Sequence, residues 1–75
     1  MPYPTRDPNF EALRLKLGKL RAGRSWTYDT LAERSGVTRR TLIAIETGTT
    51  NGSLDSWFRI AQAFEVEVAE LLDAL

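Results

Sequence analysis

Arg39 and Arg40 stand side by side in the stretch GVTRRTLIAIETG, residues 36–48. An arginine guanidinium is a planar fork of N–H donors that keeps its charge, and it suits the paired acceptors of a carboxylate, a phosphate or the edge of a guanine. Leu42 and Ile45 follow at a spacing that turns both to one side of a helix, which leaves positions 39, 40, 43 and 44 off that side. Two cations in the first turn of a helix oppose the helix dipole. A solvated surface accounts for them poorly, and a polyanion meeting that turn accounts for them well. The chain has no histidine and no cysteine, so the commonest general base, the commonest metal ligand and every thiolate site are missing. No acidic pair is spaced to suggest a catalytic cleft. The residue types point to a binding protein and away from an enzyme, and they call for no metal or cofactor.

The elements that must position these arginines are legible as helix starts and stops. With 75 residues, the chain has room for one small core. Pro2, Pro4 and Pro8 favour an extended, mobile segment over residues 1–7, with a single domain over 8–75. Asp7 followed by Pro8 reads as a cap and first helical residue, and Phe10, Leu13, Leu17 and Leu20 form an apolar stripe, so a first helix is predicted over 8–22 with Gly23 ending it. Thr27 caps a short second helix, Tyr28 to Ser35, with Trp26 and Leu31 as a hydrophobic staple, Leu31 and Ala32 inward, and Gly36 at its end. The same grammar repeats at once: Thr38 caps, Val37 and Leu42 staple, and Gly48 closes. TTNG is a loop. Ser53 caps a fourth helix with Leu54, Trp57, Ile60, Ala61 and Phe64 inward, and Val66, Val68, Leu71, Leu72 and Leu75 mark a fifth. No segment alternates with period two. The predicted fold is all-α with five helices.

Formal net charge is zero, but its distribution is uneven. Residues 1–45 carry nine basic against four acidic residues, and residues 46–75 carry one against six. A molecule with one basic face can meet a polyanion while remaining neutral as a whole. No apolar stretch is long enough to span a bilayer, and MPYPTRDP lacks the basic-then-apolar form of a signal peptide, so a cytoplasmic location is expected.

Two short helices joined at SGVT outline a helix-turn-helix. The stretch TYDTLAERSGVTRRTLIAIETG, followed by SLDSWFRIAQAFEVEVAELL, resembles the lambda-repressor and Cro-like (XRE-type) helix-turn-helix family of bacterial and phage regulators. The likeness covers about residues 9–75 and is carried by Leu31-Ala32, Gly36-Val37, Ile45-Glu46, Gly48, Ile60-Ala61, Phe64, Val66 and Leu71-Leu72. It implies a five-helix domain whose recognition helix, about 38–47, enters the major groove of double-stranded DNA by its N-terminal end. It implies that Thr38, Arg39, Arg40 and Ala44 face bases, with Ile43 joining them through apolar contact. It implies that Thr27, Tyr28 and the loop residues Thr47, Thr49, Thr50 and Asn51 lie near phosphates. It also pairs Arg21 with Glu46 in a partly buried salt bridge between the first and third helices. These domains commonly bind as homodimers on palindromic operators, which fits a transcriptional repressor associated with the nucleoid. An antitoxin repressing its own operon, and a protein-interaction module that has lost DNA binding, are the alternatives, each with a protein partner.

The chain departs from the family at four places. Tyr28 stands where glutamine is frequent, and Ala44 can meet only a thymine methyl. Glu65 stands where glycine often ends the fourth helix, and Gly52 replaces a common proline, which is expected to loosen the loop. Lys16, Lys19 and Arg24 read as solvated charges, Arg24 with some reach toward phosphates. In the C-terminal third, Phe58, Leu72 and Leu75 are candidates for apolar surface left for a second copy.

Overall fold

A computed structural model describes residues 7–75. The expected mobile segment, residues 1–7, lies outside the described residues except for Asp7. Five helices follow in order: α1 Phe10–Gly23, α2 Tyr28–Ser35, α3 Arg39–Thr47, α4 Leu54–Ala63 and α5 Val68–Leu72. Among the described residues there is no strand.

Three of the four predicted caps at the starts of helices are in place. Thr27, Thr38 and Ser53 each have extended backbone, and their hydroxyls accept from the amides of Thr30, Thr41 and Ser56. The start of α1 differs from expectation. The cap is Asn9, whose Oδ1 accepts from the Ala12 amide at 3.0 Å, and not Asp7. The Asn9 amide donates to the Leu75 carbonyl at 3.2 Å, which ties the helix start to the last residue and favours Asn9 over the exposed Asp7–Pro8 pair. At the other end Gly23 is still helical, and the cap is Arg24 in right-handed backbone. The chain turns at Ser25 instead, which takes φ of 56°.

The core is Leu13 and Leu17 of α1, Leu31 of α2, Val37, Leu42 and Ile45 around α3, Trp57, Ile60, Ala61 and Phe64 of α4, and Leu71 of α5. α3 packs against both α1 and α2, α2 against α4, and α5 against α4 and α1. One apolar assignment changes. Leu54, predicted inward, is 67% exposed at the first position of α4. Trp26 packs against the core and stacks on Phe64, the residue that caps α4, with centroids 4.8 Å apart.

The loop before α4 is tight, contrary to the loosening expected of Gly52. Gly52 has φ of 80°, and a Cβ there would lie 2.9 Å from Trp57 Nε1 and 3.0 Å from Ile45 Cδ1. The buried Trp57 needs an acceptor for its indole N–H and finds the Asn51 carbonyl at 2.9 Å. Glycine is therefore what lets the loop lie on the core. At the end of α4, Glu65 does adopt the left-handed backbone, φ 59°, that its position demands. Two supposed solvated charges are also engaged: Lys16 Nζ donates to the Glu70 carbonyl, and Arg24 Nη2 donates to the Phe64 carbonyl at 3.1 Å.

Candidate nucleic-acid interface

Leu42 and Ile45 are fully buried. Burying such side chains stabilises by roughly 1.5–3 kcal/mol each, which fixes the rotation of α3 about its axis. The other side of the helix is thereby determined. Thr38, Arg39, Arg40 and Thr47 are exposed, and Ile43 and Ala44 are half-buried. Positions 39, 43 and 47 form one row along the helix, and 40 and 44 a second. Thr38 caps the helix through its hydroxyl, which also donates to Thr41 Oγ1 at 2.9 Å. Thr47 Oγ1 donates to the Ile43 carbonyl at 2.7 Å. The two arginines differ. Arg39 Nε lies 3.1 Å from Oδ1 of Asp29 on α2. Arg40 enters no ion pair among the described residues.

The residues expected near phosphates flank this face in sequence and in structure. Thr27 sits at the start of α2, with two unpaired amide donors just after it, where a helix N-terminus favours an anion. Thr49, Thr50 and Asn51 are exposed on the loop that follows α3. That loop is held by three bonds: the Thr50 amide to the Ala44 carbonyl at 3.2 Å, the Gly52 amide to Thr50 Oγ1 at 3.3 Å, and the Trp57 indole to Asn51. Arg14 of α1 lies over the closing Gly48, where a Cβ would come within 3.1 Å of its Cζ. A cation at that place complements the C-terminal end of α3.

On the inner side of α3, Arg21 and Glu46 form a two-pronged pair. Nη2 donates to Oε1 at 2.9 Å and Nε to Oε2 at 3.1 Å, while Nη1 donates to the Trp26 carbonyl at 2.9 Å. Their side chains are 22% and 14% exposed. Gly18 of α1 gives the carboxylate room, since a Cβ there would lie 3.0 Å from Oε1. Hydrogen bonding to Glu46 raises the Arg21 pKa against the opposing effect of burial. The Arg21 guanidinium also lies over the Tyr28 ring, 4.3 Å from its centroid. Burial, reinforced by the negative charge of Glu46, pushes the Tyr28 phenol up from its ordinary value. Tyr28 is thus a half-buried cover on the ion pair.

The residues that sequence reasoning misses are Asp29 and Arg14; Trp57 is inward as expected, and only its bond to the Asn51 carbonyl is new. A buried tryptophan must find an acceptor, so Trp57 had a signal. Asp29 and Arg14 had none, because their partners lie on other helices.

A helix-turn-helix family model matches residues 17–71. The chain belongs to the XRE-type helix-turn-helix family. Membership carries the general assignment of a DNA-binding transcriptional regulator, a class that is typically non-enzymatic. An uncharacterized HTH-type transcriptional regulator of Methanocaldococcus jannaschii is 41% identical over 56 residues, covering 75% of this chain and 85% of that protein. An uncharacterized HTH-type transcriptional regulator of Archaeoglobus fulgidus is 32% identical over 59 residues, covering 79% and 83%. Both relatives are archaeal, whereas the resemblance pointed to bacteria and phage. No solved structure matches the chain significantly. No helix among the described residues is long and apolar enough to cross a membrane.

Proposed function

We propose that this chain is a sequence-specific repressor that reads the major groove of double-stranded DNA with α3. The observation that carries the reading is the outer face of α3. Arg39 and Arg40 occupy its exposed first turn, while Leu42 and Ile45 anchor the opposite side at 0% exposure. The cost of two cations at a helix N-terminus is offset when that end enters a groove lined by phosphates. In this arrangement Thr38, Arg39, Arg40, Ile43 and Ala44 meet base edges. Thr27, Tyr28, Thr47, Thr49, Thr50 and Asn51 set the position on the backbone through hydroxyls, amides or the Asn51 side chain. The protein works in the cytoplasm, on the nucleoid.

One recognition helix covers only a few base pairs, so a homodimer on a palindromic operator follows, with half-sites about one helical turn apart. Leu54 and Phe58, one turn apart on α4 and 67% and 50% exposed, offer apolar surface for a second copy, with Leu75 at 36%. Leu72, also a candidate, packs against the core.

The test is selection of bound sites from random duplex DNA, followed by titration at several salt concentrations. The expected result is an enriched palindrome whose affinity falls by about 0.9 log units per log unit of salt for each phosphate contacted. Retention of no duplex at any salt would leave the interaction module as the better account. Recovery of a non-palindromic site by a monomer would reject the dimer alone.

A further inference from the structure

The ion pair between Arg39 and Asp29 spans α3 and α2, and its closest approach is from Asp29 Oδ1 to Nε, at 3.1 Å. Among the described residues the Arg39 guanidinium enters no directed hydrogen bond, so the contact in the free protein is electrostatic. A carboxylate that closes on Nε leaves the terminal edge of the guanidinium, two parallel N–H donors, for an acceptor pair such as O6 and N7 of guanine. Arg40, one position on, has no carboxylate to hold it among the described residues.

Asp29 is a poor choice on any other ground. It stands beside the face that meets a polyanion, where a negative charge weakens binding to every duplex alike. Its side chain is 81% exposed and that of Arg39 59%, so the pair contributes little to the stability of the free protein. The first turn of α2 does favour an acid, but several positions in that turn satisfy the dipole, and only this one lies beside Arg39. Its backbone is fixed by the Thr27 cap, whose Oγ1 accepts from the Thr30 amide at 3.1 Å. When a duplex excludes water from this corner, the local dielectric falls and the pair strengthens.

We propose that Asp29 is a positioning residue that fixes the aim of Arg39, and so sets the strength of preference at the base pair that Arg39 reads. The inference rests on the DNA-reading role of α3. Asp29 trades general affinity for discrimination.

The experiment selects sites from random duplex DNA with the full chain and its Asp29→Ala, Asp29→Asn, Arg39→Ala and Asp29→Ala/Arg39→Ala variants, with melting temperatures measured alongside. The wild-type chain should enrich a half-site containing a G·C pair whose preference disappears in Arg39→Ala. Asp29→Ala should weaken preference at that same pair roughly fivefold or more, while affinity for random duplex stays level or rises. Asp29→Asn keeps an acceptor oxygen and should retain much of the preference. In the Arg39→Ala background, the Asp29 substitution should change no base preference. Unchanged discrimination by Asp29→Ala overturns the proposal, as does a loss of preference that persists without Arg39. A parallel fall in melting temperature and in affinity for all duplexes would reduce Asp29 to a helix-dipole role. If the wild-type chain enriches no sequence, the DNA-reading role fails and takes the proposal with it, an outcome distinct from the others.

Discussion

Two arginine–carboxylate pairs brace α3, one beneath it and one beside it, and their burial separates their roles. Arg21 and Glu46 share two hydrogen bonds at 22% and 14% exposure, and the remaining guanidinium nitrogen is bonded to a carbonyl. Arg39 and Asp29 meet at a closest approach of 3.1 Å with 59% and 81% exposure. In the first, each guanidinium nitrogen donates to the protein, and removing one partner strands the other largely away from water. In the second, water competes for both groups and most of the donors remain available. The same chemistry therefore fastens the helix in one place and leaves an exposed cation in the other. The inner pair fastens α1 to the last turn of α3, next to Gly18.

The comparison is broken most directly at Glu46. Glu46→Ala leaves Arg21 with one bond and a charge that is mostly enclosed. Breaking a fully buried pair costs about 3–5 kcal/mol, and the residual exposure here lowers the expectation to about 2–4 kcal/mol. For a domain of this size that is a fall in melting temperature on the order of 10–20 °C. DNA affinity should fall only as far as the folded fraction falls. Thermal unfolding followed by circular dichroism, with binding measured well below the transition, checks both halves. A variant of unchanged melting temperature that no longer binds would make Glu46 part of the reading surface.

The outer face should respond in the opposite way. Arg39→Ala and Arg40→Ala should each cost about 1–3 kcal/mol on the preferred site, with stability changing by no more than about 0.5 kcal/mol. The double change to lysine keeps the charge and removes the planar fork. Specificity should then drop while the salt dependence of binding stays close to that of the parent. Equal discrimination by the lysine variant would mean that this face supplies charge alone.

The legibility of the two regions in the sequence also differs. Caps, closing glycines and the apolar stripe are local signals, so α2, α3 and α4 were predicted to within a residue or so, and the inward pair Leu42 and Ile45 fixed the outer face of α3. Local grammar failed where a distant partner decides. Asn9 wins over Asp7 as a cap because the end of the chain docks on it. Trp26 stacks on Phe64, 38 positions further along the chain, and Lys16 reaches the Glu70 carbonyl. Gly52 looked like slack because its left-handed φ and its contact with Trp57 depend on how the loop lies on the core. The Asp29 partner of Arg39 could not be found by periodicity within either helix, since it exists only in the crossing of the two.

The smallest effect is a titration that reports on the inner pair without disturbing it. The Tyr28 ring lies against the Arg21 guanidinium, and burial together with the charge of Glu46 raises its pKa above the ordinary 10.0. Arg21 opposes this from the other side, but less strongly. In the unfolded chain the phenol ionises near its ordinary value, so the folded form binds the proton more tightly. Its contribution to stability is thus fully present below about pH 10, and it is lost as pH rises through the folded value. Absorbance of the tyrosinate, followed in a Tyr3→Phe background so that Tyr28 is the sole reporter, should show ionisation later than in the same chain unfolded in denaturant. Arg21→Lys weakens the two-pronged hold on Glu46 and removes the planar cation from the ring, and the titration of Tyr28 should move with it. A Tyr28 that ionises alike in folded and unfolded chains would mean that solvent reaches the inner pair, and the contrast between the two arginines would lose its physical basis.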